Sequence, residues 1–174
     1  MSTINRIIRG FTLFVNDSTN LALDIETLKL PTLEEIVEAF QPGGSDMEIE
    51  IGGLGVKALS LQFKLKSHTP DTLGLFGRRP GIRDAFTGKK LIISEEDGSE
   101  HEHTIDVRGR LSKIEGEELA AGKATGYDHE IKSIWQYTEL YDGRVMHRFN
   151  HKLGGWDIQN FQPVANARRR VLFS

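Results

Sequence analysis

The chain has 174 residues, of which 38% are hydrophobic and 27% charged, and its net charge of −3 excludes the strongly basic composition that is typical of nucleic-acid-binding proteins. It contains no cysteine, which excludes a disulfide framework and thiolate metal sites. No stretch approaches the roughly 18 apolar residues of a membrane span, and the N-terminal apolar run is too short for a signal peptide, so we expect one soluble domain over residues 1–174.

The N-terminal region is predicted to begin with two strands. Residues 7–15 are rich in Ile, Phe, Leu and Val, and they end at the turn pair Asn16-Asp17. A shorter strand is expected within residues 21–30. These two segments open what we expect to be a mainly β fold.

Residues 33–40 admit two interpretations. The segment from Thr32 to Glu35 fits a capping box, which is typical of a helix start, so local propensity favours a helix over residues 33–40. The same residues also fit an extended arm that follows Pro31. Both alternatives are open at this point.

Two further strands are predicted from alternating side chains. Residues 47–51 and residues 59–66 each alternate between apolar and polar positions, the period of a strand with one buried face and one wet face. A glycine-rich link at residues 52–55 joins them.

A short helix is predicted after these strands. Thr69 is expected to cap it, Pro70 suits its first position, and Asp71 favours the positive end of the helix dipole. Leu73 lies on its apolar side, and Gly77 is expected to end it after about two turns.

Two hairpins are predicted in the second half of the chain, within residues 89–114 and residues 130–150. Each contains an Asp-Gly pair between β-rich runs, and this pair is a strong hairpin signal because a type I′ turn needs positive φ at both central residues. The expected turn residues are Asp97, Gly98, Asp142 and Gly143.

The C-terminal segment again admits two interpretations. Pro163 suits the start of a helix over residues 162–172, and an extended tail is the alternative. Three consecutive arginines near its end are more readily explained by pairing with acidic groups of an adjacent subunit than by nucleic-acid contact.

The polar residues do not form a recognisable catalytic or metal-binding pattern. His101 and His103 share a strand face with Ile105 and Val107, which indicates a strand end near the core rim, whereas a metal site needs about three or four converging ligands. The sequence has no nucleophile elbow, phosphate loop or dinucleotide fingerprint. We therefore expect neither an enzyme nor a cofactor.

The order of short motifs resembles the major tail tube protein of contractile-tailed bacteriophages and of related tail-like bacteriocins. The resemblance covers nearly the whole chain. Its motifs are a strand at residues 10–16, Leu28-Lys29-Leu30-Pro31, a glycine-bearing loop at residues 41–47, Gly52-Gly53-Leu54, the Arg108-Gly109-Arg110 strand, the Tyr141-Asp142-Gly143-Arg144 turn, Gly154-Gly155-Trp156-Asp157, and an Arg-rich C-terminus. Pro163 departs from the family pattern, and the helix-like residues 33–40 depart from the family's extended arm.

The resemblance implies an antiparallel β-barrel or sandwich with one short outer helix, built into stacked hexameric rings whose channel conducts DNA during ejection. It also implies that residues 33–40 are at least partly extended, against local propensity. The expected location is the virion tail, assembled in the bacterial host cytoplasm. The expected partners are copies of the chain itself, the tail sheath, the baseplate hub, the tape measure and the tail terminator, with transient DNA passage and no membrane.

The resemblance also directs attention to particular residues. The candidate contacts between rings or subunits are Pro42, Gly43, Gly44, Asp46, Arg168, Arg169 and Arg170. The candidate acids facing the channel are Glu48 and Glu50, because a conduit for DNA should repel phosphate rather than bind it.

Two other function classes stay open. A ring-forming tube protein of the type VI secretion kind would share the fold but act in effector delivery, and a monomeric β-barrel binding module would have sheet edges that are sealed internally.

Overall fold

The structure, a computed structural model, describes residues 5–156 and 162–173. Within these ranges it contains eleven strands, two α-helices and one 3₁₀ turn. The strands are β1 (Arg6–Val15), β2 (Thr19–Asn20), β3 (Ile25–Lys29), β4 (Glu38–Phe40), β5 (Ile49–Ile51), β6 (Leu61–Leu65), β7 (Asp84–Ser94), β8 (Glu100–Gly116), β9 (Tyr127–Tyr141), β10 (Arg144–Asn150) and β11 (Gly155–Trp156). The helices are α1 (Pro70–Leu73) and α2 (Gln162–Leu172), and the 3₁₀ turn spans His151–Leu153.

One antiparallel sheet holds nine of these strands, and β9 is its branch point. The main path runs β11-β10-β9-β8-β7-β1-β2, while β6 and β3 leave it from β9. The first part of β9 pairs with β6, and its last part pairs with β10. Between them lies Ser133, whose φ of 54° breaks the extended backbone. The sheet therefore folds over itself into two layers, as expected for an antiparallel barrel or sandwich.

The core lies between these two layers. On the branch, Leu61, Phe63 and Leu65 of β6 are buried. On the main path they face Phe86 of β7, whose ring centroid lies 6.4 Å from that of Phe63. Full burial of a side chain of this size contributes about 1.5–3 kcal/mol, so this interlayer contact is a main source of stability. The rest of the cluster comprises Leu13, Val15, Leu21, Leu59, Leu75, Ile105, Val107, Leu111, Ile131, Ile134 and Tyr137.

The period-2 patterns predict the strand faces correctly. In β6 the buried residues alternate with Gln62, which is exposed, and Lys64, which is half-buried. The predicted strands at residues 7–15 and within residues 21–30 correspond to β1 and β3, whereas the short strand β2 was not predicted.

Residues 33–40 form no helix, so the interpretation from local propensity is wrong and the extended arm is confirmed. Their backbone groups bond to residues 55–57: Ile36 N–H donates to the Gly55 carbonyl (2.8 Å), and Lys57 N–H donates to the Glu34 carbonyl (2.9 Å). The Glu35 carboxylate accepts from Gly53 N–H rather than completing a capping box. These long-range bonds outweigh a weak local preference.

The strands β4 and β5 extend this arm as a separate two-stranded sheet, in which Phe40 pairs with Ile49 and Glu38 pairs with Ile51. Residues 33–57 are called the arm below. The predicted strand at residues 47–51 is therefore part of the arm, and it does not join the main sheet.

Helix α1 is confirmed but is shorter than predicted. It begins at Pro70 and ends at Leu73, before Gly77. Thr69 occupies the N-cap position as predicted, but its side chain makes no capping hydrogen bond. The Thr72 hydroxyl donates to the Thr69 carbonyl instead (2.9 Å), and this bond holds the turn from inside.

Both Asp-Gly pairs lie between hairpin strands, but only Asp142-Gly143 has the predicted positive φ at both residues. Asp142 and Gly143 have φ of 49° and 78°, the positive values that a type I′ turn needs. In the other hairpin Gly98 has φ of 69°. The Asp97 carboxylate accepts from the Ser99 N–H (3.0 Å) and hydroxyl (2.7 Å), which lowers the pKa of Asp97 to about 2.

The C-terminal segment is helical, so the extended-tail interpretation is wrong and the fold has a second helix besides the predicted one. Pro163 lies in the first turn of α2, where a missing N–H costs no helix bond. The Gly154-Gly155-Trp156 motif contains β11, and Asp157, the last residue of that motif, lies outside the described residues.

Replacing Asp142-Gly143 with Val-Val should destabilise the last hairpin. A left-handed backbone costs about 1–2 kcal/mol for each residue with a branched side chain, so we expect a loss of about 2–4 kcal/mol of unfolding free energy, measured by urea titration. The matched control is Gly10→Val, because a Cβ at Gly10 meets no atom within 4 Å and its φ is not in the left-handed region. Equal stability of the double variant and the wild type would refute the turn geometry.

A second prediction concerns His129, which is only 2% exposed and stacks on Phe63 with a centroid distance of 4.6 Å. Its Nδ1–H donates to the Tyr127 carbonyl (3.1 Å), and its Nε2 has no hydrogen-bond partner among the described residues. Burial lowers the pKa of His129 below its ordinary value of 6.5.

Because this pKa is lower in the folded than in the unfolded protein, the unfolded state takes up more protons once the pH falls below about 6.5, and stability is lost there. His129→Phe should flatten the fall in unfolding free energy between about pH 6.5 and 5, by at most about 1.4 kcal/mol per pH unit. His68→Phe, at an exposed histidine, is the control. Identical pH slopes for His129→Phe and the wild type would contradict a buried neutral imidazole.

Candidate assembly surfaces

The main sheet has two open edges. On β1, the neighbouring strand β2 covers only Phe14 and Val15, so residues 6–12 have no strand on their outer side among the described residues. On β10, β11 pairs only with Phe149 and Asn150, so residues 144–148 have no strand on that side within the described ranges. Unpaired strand edges of this length readily pair with another chain.

Apolar side chains accompany both open edges. On β1, Ile7, Ile8 and Phe11 are 45%, 52% and 39% exposed. On β10, Val145 and Met146 are 37% and 39% exposed. Large exposed apolar residues that cluster beside open backbone mark an interaction surface rather than a solvated one.

The arm carries a second exposed apolar surface. The residues that compose it are Leu33, Ile36, Val37, Phe40, Met47, Ile49, Ile51 and Leu54. Of the predicted contact residues, Pro42, Gly43, Gly44 and Asp46 lie at the tip of the arm between β4 and β5. The predicted channel acids also lie on the arm: Glu48 precedes β5, and Glu50 is within it, on the opposite face from Ile49 and Ile51.

The C-terminal arginines are largely engaged with their own chain. Arg169 Nε donates to the Leu153 carbonyl (2.7 Å), and Arg168 NH1 donates to the Gly154 carbonyl (3.5 Å). Both bonds fix α2 beside β11. Arg170 is exposed, and it is followed by a run of exposed apolar residues, Val171, Leu172 and Phe173.

The face of the main sheet opposite to the core carries a row of hydroxyls, which we call the threonine face. Its residues are Thr12, Thr87, Thr104 and Thr138, all half-buried. Two charged groups on this face have polar partners: Lys89 Nζ lies 3.2 Å from Glu102 Oε1, and the Thr87 hydroxyl donates to the Asp106 carboxylate (3.1 Å). Burial raises the pKa of Asp106, and the bond from Thr87 opposes that shift.

The histidines singled out by the sequence lie at strand ends beside acids. His101 Nδ1 is 2.6 Å from Asp142 Oδ2, and this bond lowers the pKa of Asp142. His103 Nε2 is 2.7 Å from Glu139 Oε1, and Tyr137 OH donates to the other oxygen of the same carboxylate (3.2 Å). In residues 5–156 and 162–173, no three His, Asp or Glu side chains are grouped as a metal site would require.

An antiparallel sheet with two open, apolar-flanked edges and a projecting arm defines a protein that is built to associate through its surfaces. A comparison with protein families identifies the class of assembling protein to which the chain belongs. A model of the family described as phage tail tube protein FII matches residues 5–170. The chain belongs to this family of tail tube proteins.

One solved structure is similar to the chain as well. It is a chain of the "Cryo-EM structure of the anti-feeding prophage (AFP) baseplate, 6-fold symmetrised", with 18% sequence identity, a TM-score of 0.49, and coverage of 80% of this chain and 97% of that chain. A comparison with curated proteins finds no match.

Membership of the tail tube family makes the chain a structural protein rather than an enzyme, and places it in the tail of a virion or phage-like particle, where it assembles with itself into a tube. Neither helix of the described ranges has the length and apolar character that are needed to cross a membrane.

Proposed function

We propose that the chain forms hexameric rings that stack into the inner tube of a contractile tail, and that the channel of this tube conducts DNA during ejection. The observation that carries the proposal is the pair of open edges at β1 and β10, which terminate the same five-strand path. Residues 1–174 act as one tube domain in this proposal.

Ring closure follows from the geometry of these edges. The edge of β1 and the edge of β10 are different surfaces, so contact between them is heterologous and leaves a new free edge on each added copy until the ring closes. Closure satisfies the open backbone groups and covers Ile8 and Val145, which a monomer leaves in water.

The threonine face is the surface that we assign to the channel wall. Hydroxyls carry no charge, and the pairing of Lys89 with Glu102 removes a cation that would otherwise hold phosphate. A neutral wall lets DNA slide without being retained. Glu48 and Glu50 add repulsion if the arm reaches the channel, and the arm tip with Arg170 is our candidate for contacts between rings.

Placing a charge on both sheet edges should block ring formation. We expect Ile8→Lys/Val145→Lys to remain a folded monomer of about 19.6 kDa by circular dichroism and sedimentation velocity, while the wild type forms species about six times larger and hollow tubes in negative stain. The control is Leu119→Lys, because Leu119 is 80% exposed in a loop away from both edges. Tubes from the double variant would exclude the edge contact, and a wild type that stays monomeric at high concentration would exclude the proposed function itself.

The absence of native cysteine allows each position in the tube to be probed by thiol labelling. In assembled tubes, Thr104→Cys, Glu48→Cys and Glu50→Cys should react with a small maleimide and not with a bulky polyethylene-glycol maleimide, which cannot enter the channel. Leu119→Cys should react with both reagents. Protection from both reagents would place a residue between rings, and reaction with both would place it on the outside of the tube.

A further inference from the structure

A basic cleft lies at one end of the threonine face, where the main sheet bends at β9. It has a volume of about 190 Å³ and is lined by Gly81, Arg83, Arg108, Trp135, Gln136, Asn150 and Lys152. Arg108, Gln136 and Asn150 are cross-strand neighbours on β8, β9 and β10, so the sheet register itself places them side by side.

Arg83 is held firmly in this cleft. Its guanidinium lies 3.5 Å from the ring centroid of Trp135. Its Nε donates to the Ser133 carbonyl (3.0 Å), and its NH2 donates to the Ser133 hydroxyl (3.1 Å). The cation is thus oriented by the kink of β9 before any ligand arrives.

Among the described residues, the cations of the cleft form no ion pair, although the Asp106 carboxylate is near enough to Arg108 for that guanidinium to oppose the rise in the pKa of Asp106. Within the described part of the chain, no carboxylate lies at ion-pair distance from Arg83, Arg108 or Lys152. The neighbouring Arg110 donates only to carbonyls, those of Arg78, Arg79 and Ile82. Burial lowers the pKa of Arg83, and the neighbouring charge of Arg110 lowers it further.

The opposite end of the same strands is acidic. Strand β7 has 11 residues, so the two ends are separated by roughly 35 Å. The two hairpin turns there and the start of β8 carry Glu95, Glu96, Asp97, Glu100, Glu102 and Asp142. Glu95 pairs with Arg9, Glu102 pairs with Lys89, and Asp142 bonds to His101, so the six acids outnumber these three basic partners.

We propose that the acidic turn at residues 95–100 of one copy docks in the basic cleft of the next copy along the tube. This inference rests on the proposed stacking of rings. Two different, complementary patches at opposite ends of one strand ribbon are what a repeated head-to-tail contact requires.

A second copy of the chain fits the cleft better than DNA does. The cleft ends the face that we assign to the channel wall, and three bare cations there would retain phosphate and impede transport. Acids of the stacked copy would neutralise those cations and at the same time orient each ring relative to the next.

Charge reversal tests the contact from both sides. Arg108→Glu/Lys152→Glu reverses the cleft, and Glu96→Lys/Glu100→Lys reverses the turn, all at exposed side chains. We expect each double variant to form rings, but to need at least about tenfold more protein to elongate into tubes, because like charges then face each other. Lys113→Glu/Lys123→Glu, at exposed lysines outside both patches, is the control and should elongate like the wild type.

Mixing the two variants gives the sharpest result. The acidic cleft of Arg108→Glu/Lys152→Glu should accept the basic turn of Glu96→Lys/Glu100→Lys. The native turn of the first variant should likewise bind the native cleft of the second. An equimolar mixture of pre-formed rings should therefore recover tube growth. No recovery on mixing, or normal elongation of either variant alone, would overturn the proposal.

A DNA measurement excludes the competing ligand. Fluorescence anisotropy of a short duplex should show tighter binding to unstacked wild-type rings, whose cleft cations are bare, than to Arg108→Glu/Lys152→Glu, and this difference should disappear once the wild-type rings stack into tubes. Loss of duplex binding in a variant that still stacks normally would make the cleft a nucleic-acid contact. A wild type that forms neither rings nor tubes would instead defeat the proposed function, before the cleft is tested.

Discussion

The fold depends on the hydrogen bonding of β9 with three other strands. One side of β9 pairs with β8 on either side of residues 133–135, and its other side is divided between β6 and β10. That division is possible only because the backbone turns at Ser133, where the register with β8 also shifts. The same turn brings β6 over β7 and creates the interlayer core, so the packing of Phe63 against Phe86 is a consequence of how β9 is paired.

The branching of β9 also explains why the protein is incomplete as a single copy. A barrel closed within one chain would join its first and last strands. Here the branch uses β3 and β6 to cover the core, and β1 and β10 are left at the two ends of the main path. Short strands β2 and β11 protect only two residues each of those edges. The apolar core is therefore covered, while the backbone groups at the edges of β1 and β10 are not paired. That combination favours association of copies through their strand edges.

Local patterns predicted the parts of the fold that depend on local chemistry. The alternation in β6 and the Asp142-Gly143 turn could be predicted from the sequence, because strand period and positive φ are properties of a few adjacent residues. The extended arm was not readable from propensity, since the partners of Ile36 and Lys57 lie about twenty residues away along the chain. Only the family resemblance indicated it.

The assembly surfaces were predictable to a smaller extent. The sequence pointed to the arm tip and to the C-terminal arginines, but it could not show that Arg168 and Arg169 bond to their own chain. The basic cleft was missed because its residues come from four separated segments of the chain, which only the folded sheet brings together. The alternation of Thr104 and Asp106 with buried Ile105 was the one available sign of the threonine face.

Under the proposed function and the proposed docking, the distribution of charge would meet two requirements that a DNA conduit places on one sheet. The wall must not bind phosphate, and the sheet achieves this with hydroxyls and with cations such as Lys89 that are already paired. The rings must nevertheless recognise each other, and uncompensated charge is the simplest means of orienting them. The basic cleft and the acidic turn lie at the two ends of β7 and not along it. Contact between rings is thereby kept apart from contact with DNA, because the acids of the turn meet the cations of the cleft only where copies stack. Under the proposed function, the net charge of the face that DNA would contact then depends on assembly, and only the finished tube presents a neutral channel.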